Sequence, residues 1–157
     1  MFTGNYLQKL TANNRLVIPA QFRKASPKEF DKEILWLYPA TAGIIEVYTE
    51  ESLDKLQQEF LKISRFHKDS KDLKRLVFSN LEECEFDDQF RILLSSRLLA
   101  HLKVTKDQKN KELVWLGILD YMEIQTVENW EVWQQRQGKE SESLYERFAF
   151  IFDQSNK

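Results

Sequence analysis

The first sixty residues break into short apolar runs separated by polar turns. Residues 5 to 10 alternate Tyr6, Gln8 and Leu10 against Asn5, Leu7 and Lys9, the period of a strand. Thr11-Ala-Asn-Asn14 interrupts them as a turn, since asparagine tolerates left-handed backbone angles better than most residues. Leu16-Val-Ile18 resumes a strand. Pro19 stops it and opens a short helix to Lys24, because proline suits the first helical position. Ile34–Tyr38 and Ile44–Tyr48 form a further strand pair around a Pro39-Ala-Thr-Ala-Gly43 turn. Thr49 is a good N-cap, with Glu50 and Glu51 in the first turn, and Leu53, Leu56, Phe60 and Ile63 then mark one helical face.

The same order returns. Strands are predicted at Cys84–Phe86, Ile92–Leu94, Leu113–Leu116 and Met122–Ile124, and Thr126 caps a helix carrying Trp130 and Trp133. The two copies match segment by segment, at offsets that differ by a few residues. Arg15 and Arg91 lie 91 − 15 = 76 apart, and Glu46 and Glu123 lie 123 − 46 = 77 apart. Leu35-Trp36-Leu37 returns as Val114-Trp115-Leu116. Two copies of one supersecondary unit imply pseudo-twofold symmetry within a single chain. Between them Phe66–Asn80 is rich in lysine and places Leu73, Leu76 and Val77 at helical spacing. The expected organisation is therefore a first repeat at 1–63, a connecting helix at 64–80, a second repeat at 81–137 and a C-terminal helix at 138–157. That last helix bears Leu144, Phe148, Ile151 and Phe152 on one face, which needs a partner.

Composition allows one such domain or two small ones. The chain has 157 residues, 42% hydrophobic and 13% aromatic, enough for a real core. The tryptophans fall at equivalent or helical positions and are expected in the core or a subunit interface. The lone Cys84 permits no internal disulfide or zinc knuckle and reads as a small buried hydrophobe in a reducing cytosol. The N-terminus lacks the basic start and apolar run of a signal peptide, and the most apolar stretch, 113–122, is too short to span a bilayer. No cofactor or metal motif is present. With two unrepeated histidines and no glycine-rich phosphate loop, the chain is not read as an enzyme.

Charge separates the copies. Residues 1–24 hold Lys9, Arg15, Arg23 and Lys24 and no acid, a side-chain charge of +4. The matching window 80–99 holds Arg91 and Arg97 against Glu82, Glu83, Glu85, Asp87 and Asp88, or 2 − 5 = −3. Phosphate neutralisation supplies most non-specific DNA affinity, so the first copy suits a polyanion and the second does not.

Gly4-x-Tyr6-x-x-x-Leu10-x-x-x-x-Arg15-Leu-x-x-Pro19-Ala20-x-Phe22-Arg23 resembles the opening of the MraZ family, bacterial transcriptional regulators of the division and cell-wall gene cluster. Glu83-Cys-Glu-Phe-Asp-x-Gln-x-Arg91-Ile-Leu is similar to that family's second motif, and Gly117-x-x-Asp120-x-x-Glu123-Ile with Trp130 is similar to its later signature. The resemblance implies an α+β fold, a tandem duplicated swapped-hairpin (AbrB-like) β-barrel with flanking helices. It further implies rings of identical subunits that bind short, G-rich direct repeats of double-stranded DNA, in the cytoplasm at the nucleoid. Carried onto this chain, Arg15, Asn13 and Asn14 would meet bases, and Lys9, Arg23 and Lys24 would meet phosphates. Arg91 belongs to the same set, although Asp87, four residues before it, competes for its guanidinium. The family's aspartate, lysine and glycine are Thr11, Asn13 and Asn14 in the first turn. Phe90 takes the glycine place in the second turn, which predicts a changed loop there, and Ser95 and Leu99 stand where a proline and an arginine are expected. The altered turns and acidic second copy also fit a ring-forming scaffold that has lost DNA binding. A single-unit AbrB-like antitoxin fits less well, given the duplication.

Overall fold

A computed structural model describes residues 1–105, 107–108 and 111–155. They divide into two units, Met1–Thr126 and a second unit that begins at Val127. The first unit contains β1 (Asn5–Lys9), β2 (Arg15–Val17), α1 (Ala20–Ala25), β3 (Ile34–Pro39), β4 (Ile45–Tyr48), α2 (Glu50–Leu61), α3 (Lys68–Phe78), β5 (Glu82–Glu85), β6 (Arg91–Leu93), α4 (Ser96–His101), β7 (Glu112–Ile118) and β8 (Tyr121–Thr126).

Six strands form one antiparallel sheet in the order β1-β7-β8-β4-β3-β5, and β2 pairs with β6 in a separate antiparallel ribbon. The sheet order reads the same from either end once each strand is exchanged for its counterpart in the other repeat. A pseudo-dyad therefore passes between β4 and β8, where Glu46 faces Glu123, and between β2 and β6, where Leu16 faces Ile92. The repeats exchange strands: β1 of the first pairs with β7 of the second, and β5 of the second pairs with β3 of the first. This is the tandem swapped-hairpin, AbrB-like arrangement, with helices flanking the sheet.

Alternation explains the core. Leu16 and Ile92 point inward from the ribbon, followed by Ile18 and Leu94, against Leu35 and Leu37 of β3, Ile45 and Val47 of β4, Leu113 and Trp115 of β7, and Met122 and Ile124 of β8. Burying each such side chain contributes roughly 1.5–3 kcal/mol. Of the tryptophans in this unit, Trp115 is buried and Trp36 half-buried. Cys84 is half-buried, and its thiol donates to the Leu93 carbonyl. Phe2 closes one end of the core edge-on to Phe22 and Phe30, with ring centroids 5.7 and 6.2 Å away. The segment carrying it lies against β7, where the Gly117 amide donates to the Gly4 carbonyl. A side chain on Gly117 would place its Cβ 2.3 Å from the Thr3 nitrogen, so the close approach requires glycine.

Thr49 caps α2 as expected. Its hydroxyl accepts from the Ser52 amide at 3.2 Å while Ser52 Oγ accepts from the Thr49 amide at 2.8 Å, a capping box closed by serine. The connecting helix is shorter than its periodicity predicts and starts after His67, whose Nδ1 accepts from the Asp69 amide.

The second unit corrects the expected break at Gly138. One helix, α5 (Val127–Ser155), runs through that glycine. A lone glycine costs a helix interior about 1 kcal/mol relative to alanine, and the Gln, Lys and Glu around it are good helix formers. Trp130 and Trp133 stack on α5 with centroids 5.1 Å apart, and Leu144, Tyr145, Phe148, Ile151 and Phe152 are exposed. Residues 156 and 157 of the expected C-terminal segment lie outside the described residues.

Candidate nucleic-acid interface

The ribbon β2–β6 presents the two signature arginines on its outer face. Leu16 and Ile92 take the inward positions, so period two turns Arg15, Val17, Arg91 and Leu93 outward. Arg15 lies opposite Leu93, and Arg91 opposite Val17. The arginines are thus diagonal neighbours, a relation that sets residues roughly 7–8 Å apart in an antiparallel pair, with Cβ atoms somewhat closer.

Each arginine is preceded by a four-residue turn, and the two turns are built alike. The Thr11 amide donates to the Arg15 carbonyl at 2.9 Å, and the Asp87 amide to the Arg91 carbonyl at 3.1 Å. The Asn14 amide donates to the Thr11 carbonyl at 3.0 Å, and the Phe90 amide to the Asp87 carbonyl at 2.8 Å. Asn14 and Phe90 both adopt the left-handed region, at φ 63° and 57°. The changed loop expected from Phe90 does not occur. A bulky residue is disfavoured there, but this one is held by packing on the core and by stacking on Phe86 at 5.8 Å. The turns also brace each other's repeats: the Ile18 amide donates to the Phe90 carbonyl at 2.8 Å, and the Leu94 amide to the Asn14 carbonyl at 2.9 Å.

Side chains break the symmetry. Thr11 Oγ1 accepts from the Arg15 amide at 3.0 Å, the place that Asp87 Oδ1 takes for the Arg91 amide at 3.0 Å. Asp87 has a second oxygen. It accepts from Arg91 Nε and Nη2, both at 2.8 Å. That hydrogen-bonded guanidinium holds the Asp87 carboxyl below the usual carboxylate range. Threonine offers nothing further, and the Arg15 guanidinium makes no ion pair or hydrogen bond among the described residues.

The remaining candidates are spread over the same repeat. Ala12, Asn13 and Asn14 expose the first turn to solvent. Lys9 ends β1 just before that turn and is exposed, as is Lys24 on α1. Arg23 is half-buried, and its guanidinium lies 3.8 Å over the Phe90 ring. Across the dyad the corresponding surface is acidic. Glu82 accepts from Arg97 at 2.8 Å, and Glu83, Glu85 and Asp88 are exposed.

Sequence reasoning missed the polar pairing on the sheet's dyad. Glu46 and Glu123 face each other, Tyr48 donates to Glu46, and Gln125 donates to Glu123 at 3.2 Å, each bond spanning two residues. Tyr48 stacks on Tyr121 at 5.3 Å. Burial, with the opposing Glu46 charge, pushes the Glu123 carboxyl up, and burial pushes the Tyr121 phenol up to about 12. The signal available in sequence was the 77-residue offset of the glutamates. The two histidines hold structural contacts: His67 caps α3, and His101 Nε2 lies 3.0 Å from the Ile44 carbonyl. Among the described residues no cluster of His, Cys, Asp and Glu could hold a metal ion, and no helix is long and apolar enough to cross a membrane.

Two turn–strand units joined by exchanged strands define a tandem AbrB-like protein. The family model described as "MraZ protein, putative antitoxin-like" matches residues 1–76 and again 77–150, and the chain belongs to that family. It is similar along its length to proteins named "Transcriptional regulator MraZ". That of Natranaerobius thermophilus is 30% identical over 95% of this chain and 94% of its own. That of Caldanaerobacter subterraneus subsp. tengcongensis is 26% identical over 99% of each, and that of Lactobacillus helveticus 27% over 96% and 99%.

Proposed function

We propose that the chain is a sequence-specific DNA-binding regulator of transcription, working as a homo-oligomeric ring on short direct repeats upstream of the division and cell-wall gene cluster. The observation that carries this reading is the Arg15 guanidinium, unpaired among the described residues, on the outer face of a two-stranded ribbon and inside a segment without acids. A β-ribbon fits the major groove, and a free guanidinium there bonds guanine in a bidentate manner, at roughly 1–3 kcal/mol of discrimination. Asn13 and Asn14 extend the same turn toward base edges or phosphates, and Lys9 and Lys24 supply phosphate charge. Arg91 sits on the same face with its guanidinium engaged by Asp87. Its role is to hold the second turn. The names of the similar proteins support its regulatory part.

Adjacent subunits of a ring would meet repeats spaced about one helical turn apart, and avidity would amplify weak single contacts. The exposed apolar face of α5 is the surface on which we expect copies to meet.

An electrophoretic shift with the DNA upstream of its own gene, against a scrambled duplex, tests the proposal together with light scattering. The expected results are a specific shift and a mass several times 18.8 kDa. The acidic second repeat favours a second reading, a scaffold of the same fold without DNA binding. An oligomer that shifts neither duplex would establish it.

A further inference from the structure

Arg23 stands where a phosphate contact was expected, yet its charge is directed elsewhere. Its guanidinium carbon lies 3.8 Å from the centroid of the Phe90 ring. The two side chains belong to different repeats, Arg23 to α1 of the first and Phe90 to the turn of the second. Arg23 Nε is buried without a hydrogen-bond partner among the described residues, so the face of a ring replaces the usual oxygens.

The position of Phe90 matters beyond its own turn. It sits at φ 57°, a conformation a bulky residue keeps only when its surroundings hold it. Phe86 stacks on one side, the core lies beneath, and the Arg23 guanidinium covers the ring. The Phe90 carbonyl accepts from the Ile18 amide, immediately after β2 and three residues from Arg15. Across the dyad no cation covers the Asn14 turn among the described residues. There Asn14 lines one pocket with Leu99 and Ala100 of α4, and Leu99 takes the position equivalent to Arg23.

We propose that Arg23 is a positioning residue. From the first repeat's helix it clamps the second repeat's turn, and through Phe90 and the Ile18 amide it sets the path of β2 and the aim of Arg15. The aim of Arg15 has meaning only within the DNA-reading role proposed above; the clamp itself does not depend on it.

The test is a double-mutant cycle in the full chain, with Arg23→Ala, Phe90→Ala, the double variant and Arg23→Lys. Melting is measured first. Affinities for the upstream DNA and for a scrambled duplex are then measured well below melting, from 50 to 200 mM salt. Arg23→Ala is expected to keep the wild-type salt slope and to lower the ratio of specific to scrambled affinity by roughly three- to tenfold, the worth of one cation–π contact. A residue that only stabilised the fold would not move that ratio in folded protein. In the Phe90→Ala background Arg23→Ala should change neither melting nor ratio. Arg23→Lys should restore little, because a compact ammonium lacks the planar face that stacks. A salt slope reduced by about 0.9 per phosphate lost, with the full effect retained without Phe90, would make Arg23 a phosphate ligand and overturn the proposal. If the wild type binds no duplex, the DNA reading fails and with it the aim of Arg15. Melting then judges the clamp alone: non-additive shifts sustain it and additive shifts overturn it.

Discussion

Thr11 and Asp87 occupy the same place in the two turns and accept the same backbone bond, from the amide four residues on, at 3.0 Å each. Only Asp87 has a second oxygen to spend, and it spends it on Arg91. That second oxygen pins Arg91, whereas the Arg15 guanidinium has no such partner among the described residues. Arg15→Ala is therefore expected to remove specific DNA binding with little change in melting, losing about 1–3 kcal/mol for each subunit engaged. Arg91→Ala should instead lower the melting temperature and reduce the affinity of folded protein less. Equal losses of affinity with unchanged melting would show that both turns read DNA.

The Asp87–Arg91 pair also sets a pH dependence. The folded-state pKa of Asp87 lies below its ordinary 3.8, so the pair's contribution is present above that value and is lost as pH falls through the lowered one. The melting difference between wild type and Asp87→Asn should hold steady from neutral pH to the carboxylate range and shrink only in stronger acid. A difference that fades between pH 7 and 5 would contradict the assignment.

The opposed pair Glu46 and Glu123 predicts the reverse sign. Burial and the facing charge raise the Glu123 pKa, so its contribution to stability is full below the ordinary 4.5 and is lost as pH rises through the raised value. Glu123→Gln, which fixes an uncharged side chain, should raise the melting temperature at pH 7, with the gain disappearing toward pH 4. Thermal melts of the two proteins across that range decide it.

Two glycines should respond oppositely to alanine. At Gly117 the new Cβ meets backbone atoms of Phe2 and Thr3 at 2.4 and 2.3 Å, so the N-terminal segment must move, at about 1–3 kcal/mol. At Gly138 it meets nothing within 4 Å, and Gly138→Ala should stabilise α5 by about 0.5–1 kcal/mol. Denaturant melts of the first and the helicity of the second provide the checks.

The duplication, most strand positions and the Thr49 cap were readable from residue types because they rest on local period and offset. Other features were not. Which repeat each strand joins is a long-range choice, and alternation in β1 looks the same whether its partner is β3 or β7. Phe90 in a left-handed turn runs against local preference, and only the core and Arg23 explain it. Arg23 itself looked like a free cation because its partner lies 67 residues away (90 − 23 = 67). Among the candidate residues, the Asp87–Arg91 pairing was visible from its four-residue spacing, and the structure contains it.

The exchanged strands have a consequence for synthesis. Asn5 pairs with Leu116, 111 residues later (116 − 5 = 111), and β4 has no neighbour on one side until β8 exists. A ribosome making this chain releases most of it before the sheet can close, because the partner of β1 and the second partner of β4 lie beyond residue 111. The first copy must wait, with its apolar strand faces uncovered, for the second to emerge. At ordinary elongation rates of about 5–20 residues per second, that exposure lasts roughly 6–22 s. Nascent chains are therefore a stage at which uncovered apolar strands expose this protein to aggregation.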